Sequence, residues 1–402
     1  MSKVVKSKYT SEAVCGFTHR TAMAEAARCL LCHDAPCSKG CPAGTNPAKF
    51  IRSIRFRNVK GAAETIRENN PLAGTCARIC PYDRLCEEAC SRCGIDRPIE
   101  IGKLQRYAIE QEKIFSMSTF NTSEVKKEGN IACIGAGPAS LACAAELAKA
   151  GYEVTIFEKE QKAGGVLTYG IVPSRLPQEV VDYDIEQIEK LGVNFEFGKK
   201  VELSDLSGFD AIFVGVGLWE PKLPQIEGTT LKGVYSALDY LKAARIGKES
   251  FEQGRKVVIV GGGDVAVDCA ATAKLLGAEE VRIVYRRTLE EAPGNMAEFQ
   301  YALSLGIGIT TNMAPAAVKG NTRVEFAEFK GRDNLSGLVT ACDTIVFAIG
   351  QQGADISKAI EADNVFAAGD IVNGGKTVVE AVAEGKESAA SIIEYMEKKG
   401  VK

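Results

Sequence analysis

The sequence predicts an α/β protein in which a helical, cysteine-rich domain precedes two parallel-sheet domains. Three features of the 402-residue chain support this prediction: nine of its 14 cysteines lie between Cys29 and Cys93, and two later segments follow the order strand, glycine turn, helix and second strand. Those two segments begin at Ile131 and Lys256. We place the helical domain at residues 1–115, where helical periodicity covers Thr21–Cys29 and Val59–Glu68. Polar residues 116–130 are predicted to form a linker.

Composition excludes several classes of protein. Hydrophobic residues make up 46% of the chain and charged residues 25%, as in an ordinary globular protein. A net charge of −3 without a basic stripe gives no reason to expect nucleic acid binding. No apolar stretch is long enough to cross a bilayer, so no membrane contact is expected. The chain does not open on a secretory signal, which predicts a cytoplasmic location and argues against disulfides.

The cysteines form two closely spaced runs. The first run is Cys29, Cys32, Cys37 and Cys41, and the second is Cys76, Cys80, Cys86 and Cys90. Thiolates at two- to five-residue spacing can bind one inorganic core, and the proline after Cys41 is typical of ferredoxins. Zinc also takes four thiolates, but zinc ribbons pair two C-x2-C knuckles and only one is present. We predict iron–sulfur clusters, with zinc and structural cysteines as alternatives. His33, inside the first run, is expected to be a solvent-exposed loop residue.

The first strand–glycine–helix segment predicts a Rossmann-like dinucleotide site. Gly135 allows a tight turn, and Gly137 lets the backbone approach a pyrophosphate at the helix N-terminus. Glu158 ends the next strand, where a carboxylate meets a ribose diol. Ser140 stands where glycine or alanine is usual, yet it is small enough for close helix packing. The predicted residues of this turn are Gly135, Ala136, Gly137, Pro138 and Ala139.

The second segment predicts a nicotinamide site. Its turn contains Gly262, Gly263, Asp264 and Val265. Its second strand ends in Arg286 and Arg287 instead of an acid, and guanidinium groups bind a 2′-phosphate that a carboxylate would repel. The sequence therefore favours NADPH over NADH, while a solvated rim of the sheet remains the alternative role for the two arginines.

The chain contains two dinucleotide folds, and their second strands end in an acid in one case and in arginines in the other. This difference suggests one tightly bound flavin (FAD) and one nicotinamide that binds and dissociates. The segment Asn364–Asp370 is an apolar strand ending in Gly369 and Asp370, and Thr377 opens a helix whose amides could face the flavin ring. Two further strands end in glycine, Ala211–Gly217 and Thr344–Gly350, and are interpreted as connections between the domains. We assign FAD to residues 131–245 and 345–402, and the nicotinamide to 246–344. Further predicted cofactor residues are Gly165, Val166, Arg175, Val201, Ala348, Ile349, Gly350 and Val378.

Taken together, these motifs resemble the small subunit of bacterial glutamate synthase, and more closely the electron-input half of dihydropyrimidine dehydrogenase. The discriminating stretches begin at Arg28, Lys60 and Ile101. In bacteria of this type that half is a separate subunit, so the resemblance implies an FMN-containing catalytic partner in a hetero-oligomer. One departure is that only 18 residues separate Gly350 from Gly369, where the family inserts more strand sequence.

The resemblance also implies a ligand set that differs from the two sequential runs. It assigns one [4Fe–4S] cluster to Cys29, Cys32, Cys37 and Cys90. It assigns a second [4Fe–4S] cluster to Cys41, Cys80, Cys86 and Gln105. Cys76 is the alternative fourth ligand of the second cluster, in which case Gln105 would be a helix residue facing solvent. The remaining cysteines are interpreted as small core or surface residues.

The implied function is electron transfer from NAD(P)H through FAD and the clusters to a partner that reduces uracil or thymine. A flavin accepts a hydride and passes single electrons, so it must stand between a nicotinamide and an iron–sulfur cluster. Two alternatives remain open: a glutamate synthase small subunit or related NADPH–ferredoxin oxidoreductase, and a non-catalytic iron–sulfur scaffold.

Overall fold

The computed structural model describes residues 9–120, 123, 125–247, 251–356 and 359–400. Of the predicted linker, residues 121, 122 and 124 therefore lie outside the described residues, as do 1–8 of the predicted helical domain. The chain forms two compact units. The larger unit consists of Val14–Thr168, Gln178–Leu218 and the segment from Gly353 onward. The smaller unit contains Tyr169–Pro177, Trp219–Gln352 and residues 9–13.

The cysteine-rich part of the larger unit is helical, as predicted. Its helices are α1 (His19–Ala27), α2 (Pro36–Lys39), α3 (Pro47–Arg55), α4 (Val59–Asn69), α5 (Ala73–Ile79) and α6 (Ile101–Ile114). Short 3-10 turns at Tyr82–Arg84 and Ser91–Gly94 lie between α5 and α6. Apolar side chains such as Phe50, Ile66 and Leu104 are fully buried between these helices. Within the described ranges, no helix combines the length and apolarity needed to span a bilayer.

A five-stranded parallel sheet forms the rest of the larger unit. Its strands are β1 (Asn130–Ile134), β2 (Glu153–Glu158), β3 (Asn194–Phe197), β4 (Ala211–Val214) and β15 (Val365–Ala367), in the order β15-β4-β1-β2-β3. Its helices are α7 (Pro138–Lys149), α8 (Val166–Tyr169), α9 (Gln178–Glu189), α13 (Asp370–Asn373) and α14 (Val378–Lys398), with a 3-10 turn at Leu203–Leu206 and another at Ala359–Glu361. Read from β3, this is the Rossmann strand order 3-2-1-4-5 without the sixth strand.

The smaller unit repeats this architecture. Its parallel strands are β6 (Val234–Ser236), β7 (Lys256–Val260), β8 (Glu280–Val284), β9 (Gly308–Thr310) and β13 (Thr344–Phe347), in the order β6-β13-β7-β8-β9. Its helices are α10 (Ala237–Ile246), α11 (Asp264–Leu275) and α12 (Met296–Ser304). Strands β10 (Met313–Lys319), β11 (Phe326–Gly331) and β12 (Gly337–Ala341) form an antiparallel sheet, and β5 (Glu220–Pro221) pairs with β14 (Gln351–Gln352).

The structure corrects two predicted domain boundaries. Strand β6 lies in the second sheet, although the sequence prediction ended the FAD domain at residue 245. Strand β13 pairs with β7 in that same sheet, although residues from 345 onward were assigned to FAD. A parallel strand belongs to the sheet that supplies its hydrogen-bond partners, and for β6 and β13 those partners lie far away in sequence. The short segment between Gly350 and Gly369 still provides β15, which pairs with β4.

A buried cluster of charges connects helices of the larger unit. Arg67 of α4, Glu112 of α6 and Asp184 of α9 are all fully buried. Arg67 contacts each carboxylate at 2.8 Å. Burial by itself lowers the pKa of Arg67, but the two carboxylates outweigh it and hold that pKa above its usual value. Asp184 also accepts hydrogen bonds from the amides of Gly74 and Thr75 at the start of α5, at 3.2 and 2.7 Å.

Replacing Arg67 by leucine should destabilise the protein by about 3–5 kcal/mol, because two carboxylates would remain buried without their cation. The measurement is the free energy of urea unfolding in samples of equal cofactor content. Lys60→Met is the matched control, since Lys60 lies on the same helix and forms an exposed pair with Glu64. Such surface pairs contribute about 0–1 kcal/mol. Equal losses in the two variants would contradict the prediction.

Candidate functional site

The first cysteine group surrounds a cavity in the helical part of the larger unit. Four cysteines line this small cavity: Cys29, Cys32, Cys37 and Cys90. Arg28 and Arg92 bring the two segments together, because Arg92 donates to the Arg28 carbonyl at 2.7 Å and both guanidinium groups pair with Asp96. Cys90 therefore lies beside the cysteines of the first run in space, although in sequence it is the last cysteine of the second run. This is the grouping that the resemblance implied and sequential spacing did not.

The second group contains Cys41, Cys76, Cys80 and Cys86. The neighbouring Cys76 thiol and burial, with smaller contributions from the thiols of Cys86 and Cys41, raise the pKa of Cys80 well above its usual value. Gly40 permits this arrangement, since a side chain there would come within 3.0 Å of the Leu85 carbonyl. Cys76 is buried on α5, and its carbonyl accepts a hydrogen bond from Tyr82 at 2.7 Å.

The donor chemistry of both groups fits an iron–sulfur cluster. Burial, reinforced by neighbouring thiols, raises the pKa of Cys37 to about 11, and it also raises the pKa values of Cys29 and Cys86. Such thiols stay protonated in an empty site, whereas a bound metal removes the proton. Sulfur donors arranged around a cavity suit a cluster that takes one ligand at each iron. No three Cys, His, Asp or Glu side chains among the described residues form a site for a single metal ion.

Gln105 lies on α6, one turn after the start of the helix. Its Nε2 donates to the Ala73 carbonyl at 2.8 Å. This contact uses a donor of the side chain and not its amide oxygen, which is the atom that could bind iron. Glu87, next to Cys86, anchors this helix by accepting a hydrogen bond from the Gly102 amide at 3.1 Å. Gln105 is 9% exposed, so it does not face solvent. His33, by contrast, is exposed as predicted.

The first glycine turn has the geometry of a dinucleotide site. Gly135 adopts a φ of +87° between β1 and α7, and a side chain there would come within 3.0 Å of the Gly215 carbonyl. A Cβ on Gly165 would lie 3.1 Å from the Cα of Gly137, so Gly165 and Val166 lie against the turn. Glu158 is buried and accepts a hydrogen bond from the Ala136 amide at 2.8 Å. Pro138 and Ala139 begin α7, whose N-terminal amides face this turn.

The second half of the predicted flavin site lies at the start of α14. Thr377 caps this helix in a capping box with Glu380, directly before Val378. Gly369 has a φ of +78°, and its amide donates to Glu384 at 2.9 Å. Burial raises the pKa of Asp370, although the Lys376 amide donates to its carboxylate and opposes this effect. Glu384 therefore holds the Gly369–Asp370 turn in place.

Most of the residues predicted to bind the nicotinamide line one open cleft of about 600 Å³ in the smaller unit. It lies at the carboxyl ends of β7, β8 and β13, where α/β sheets bind nucleotides. The predicted cofactor residues that line it are Gly262, Gly263, Val265, Arg286, Arg287, Ala348, Ile349 and Gly350. The last three were assigned to the FAD domain, and the structure places them in this cleft because β13, which precedes them, pairs with β7. A side chain at Gly262 would come within 2.5 Å of the Tyr285 ring. Arg286 and Arg287 are exposed, and neither forms an ion pair with any described residue.

Three predicted cofactor residues are placed elsewhere. Arg175 belongs to the smaller unit, where its guanidinium pairs with Asp268 and Glu298, each at 3.2 Å. Burial raises the pKa of Asp268 to about 6, and Arg175 opposes this rise. Asp264 does not line the cleft but accepts a hydrogen bond from the Asn295 amide at 2.7 Å. Val201 packs against the apolar cluster beside β4.

Sequence reasoning missed several residues that shape these sites. Glu384 and Lys386 of α14 and Glu291 of the cleft carry no motif that would single them out. Glu291 pairs with Arg332 at 2.8 Å and accepts a hydrogen bond from the Thr288 amide. Only the spacing of Glu384 from Gly369 is local enough to have suggested its role.

Comparison with known proteins is consistent with this arrangement. Residues 6–116 match the family described as dihydropyrimidine dehydrogenase domain II, 4Fe-4S cluster, and residues 129–385 match the pyridine nucleotide-disulphide oxidoreductases. The NAD-dependent dihydropyrimidine dehydrogenase subunit PreT of Escherichia coli O157:H7 is 45% identical, over 98% of each chain. The glutamate synthase [NADPH] small chain of E. coli K12 is 32% identical, over 95% of this chain and 93% of that one.

A solved structure supports the fold. Thioredoxin reductase from Lactococcus lactis aligns with a TM-score of 0.56 at 19% identity, over 67% of this chain and all of its own. The expected fold class is confirmed: a helical 4Fe–4S domain precedes an α/β oxidoreductase domain with parallel sheets. The chain is an NAD(P)H-dependent oxidoreductase and belongs to the family of electron-transfer subunits of bacterial NAD-dependent dihydropyrimidine dehydrogenase.

Proposed function

We propose that this chain takes electrons from NAD(P)H and delivers them, through FAD and two [4Fe–4S] clusters, to a separate FMN-containing subunit that reduces uracil or thymine to the 5,6-dihydropyrimidine. The observation that carries the proposal is that the larger unit holds both cysteine groups and the first dinucleotide turn. A nicotinamide cleft occupies the smaller unit of the same chain. The 45% identical relative is by name a dehydrogenase subunit, which supports a partner subunit here.

The chain's own residues bind and orient these groups. Cys29, Cys32, Cys37 and Cys90 would hold one cluster, and Cys41, Cys80, Cys86 and Gln105 the other. The turn at Gly135–Ala139 would hold the pyrophosphate of FAD, with Glu158 on the ribose and Asp370 and the start of α14 near the flavin. When bound, the flavin supplies the exchange between hydride and single-electron chemistry.

The alternative is a glutamate synthase small chain, which the 32% identity over nearly the whole length supports. Gln105 favours the pyrimidine assignment, because the resemblance to dihydropyrimidine dehydrogenase implies a glutamine at this position. Capture of the partner subunit from its native cells separates the two: a pyrimidine-reducing flavoprotein supports our proposal, and a glutamine-hydrolysing protein contradicts it.

Cofactor content is the first test of the proposal. Protein purified without oxygen should contain one FAD and about eight irons with equal acid-labile sulfide per chain, as two four-iron clusters require. Metal analysis by emission spectrometry and sulfide assay provide the measurement. A chelator that strips the iron should also lower thermal stability, since metal binding contributes to the folding of such domains. Zinc with little sulfide would refute the iron–sulfur assignment.

Nicotinamide choice depends on Arg286 and Arg287. The free arginine pair favours NADPH, whereas the name of the 45% identical relative specifies NAD. If the pair binds a 2′-phosphate, NADPH should reduce the flavin faster than NADH, and Arg286→Glu should reverse the order. A charge-assisted contact contributes about 1.5–3 kcal/mol, or about ten- to a hundredfold in rate.

The matched control is Arg255→Gln, because Arg255 is an exposed arginine of the same unit that pairs with Glu279 and does not line the cleft. Stopped-flow absorbance of the flavin gives both rates. Equal rates with the two donors in the unmodified protein would show that the arginines do not select the donor.

Cys86→Ala separates electron entry from electron exit. It should remove the second cluster but leave flavin reduction by NAD(P)H intact, because that step needs only the two nucleotide sites. The variant should still reduce a small dye and yet lose uracil reduction with the partner subunit. Gln105→Ala should behave in the same way, whereas Cys76→Ala should keep its iron and its activity. If Cys76→Ala loses the second cluster and Gln105→Ala keeps it, Cys76 is the fourth ligand. Uracil reduction by a variant that lacks the second cluster would exclude electron transfer through that cluster.

A further inference from the structure

Lys386 of α14 connects the flavin-binding part of the larger unit to the second cysteine group. Its Nζ donates to the carbonyl oxygens of Ala43 at 2.6 Å and Asn69 at 2.8 Å. Ala43 lies two residues after Cys41, and Asn69 is the last residue of α4. One ammonium group therefore binds the loop that carries Cys41 and the negative end of a helix dipole at the same time.

Helix α14 is held close enough for this contact by its packing against α7. Gly385 lies against the start of α7, where a side chain would come within 2.2 Å of the Ala139 carbonyl. Lys386 is thus placed by the same helix pair that forms the predicted flavin site. Movement of the Cys41 loop away from that site would break charge-assisted hydrogen bonds, which are about twice as strong as neutral ones.

The charge of Lys386 is not neutralised by a carboxylate. Among the residues that the structure describes, none forms an ion pair with it, and Glu68 and Glu146 act on it only at longer range. Lys149 of α7 provides a contrast: it donates to the Glu68 carbonyl at 3.1 Å, but it is paired with Glu146 at 2.8 Å. The Cys41 thiol is among the groups that interact electrostatically with Lys386.

We propose that Lys386 is a positioning residue that anchors the Cys41 loop and raises the reduction potential of the cluster that Cys41 helps to hold. This inference rests on the ligand set of the proposed function. Reduction adds a negative charge to a cluster, and an unpaired cation in a half-buried setting stabilises that charge more than it would in water. Net charge and hydrogen bonding around the sulfurs are established determinants of cluster potential.

The test is a redox titration of both clusters, monitored by electron paramagnetic resonance, in the full-length protein prepared without oxygen. Lys386→Met and Lys386→Gln should shift the potential of one cluster to more negative values and leave the other unchanged. Lys386→Arg keeps the charge and should retain the original potential. Lys149→Gln, the matched control, should leave both potentials unchanged, since it removes a lysine whose charge is already paired.

Iron content is measured alongside the potentials. Loss of one cluster from both neutral variants, with Lys386→Arg fully loaded, would also support the anchoring role. Unchanged potentials in neutral variants that keep their full iron, or an equal shift in Lys149→Gln, would overturn the inference. Failure of the proposed function is distinguishable, because the unmodified protein would then lack the two four-iron clusters.

Discussion

The buried contact of Arg67 with Glu112 and Asp184 is the constraint on which the larger unit depends. It joins two helices of the cysteine-rich part to α9, which packs beside the first parallel sheet. Asp184 also binds the free amides at the start of α5, the helix that leads to Cys80. An unpaired charge at this depth is strongly unfavourable, so the three side chains tolerate only one relative placement of these helices. Electron transfer requires that kind of fixed geometry.

Both parallel sheets have five strands with the strand before the glycine turn at the centre, and they differ in the residues at the carboxyl ends of their strands. In the first sheet, β2 ends in Glu158, which is buried and accepts a hydrogen bond from the Ala136 amide in the glycine turn. The second ends in Arg286 and Arg287, which are exposed in an open cleft. An enclosed carboxylate suits a nucleotide that stays bound, whereas an open cleft with free cations suits one that enters and leaves. This difference supports the proposal that the first site holds a resident flavin and the second binds a nicotinamide substrate.

Glycine makes both sites possible where the backbone itself must approach a neighbour. Gly215 accommodates the Ser140 side chain, whose Oγ would lie 2.2 Å from any Cβ at that position. This explains how the first turn tolerates serine where a smaller residue is usual. Helix α14 likewise packs closely against α7 because Gly385 has no side chain to contact the Ala139 carbonyl. Lys386 is the next residue, so this close packing places its ammonium group within hydrogen-bonding distance of the Ala43 and Asn69 carbonyls.

The sequence by itself determined the features that depend on residues near one another in the chain. The glycine turns, Glu158 at a strand end and the capped helix at Thr377 follow from local patterns, because turn, strand and helix are set by short-range sterics and hydrogen bonds. The tertiary structure decided what depends on distant partners. It grouped Cys90 with the first cysteine run, moved β6 and β13 to the second sheet, and paired Arg175 with Asp268. It also buried Gln105 and directed Lys386 to the Cys41 loop. Contacts between residues 32 to 343 positions apart arise from packing and leave no periodic trace in the sequence.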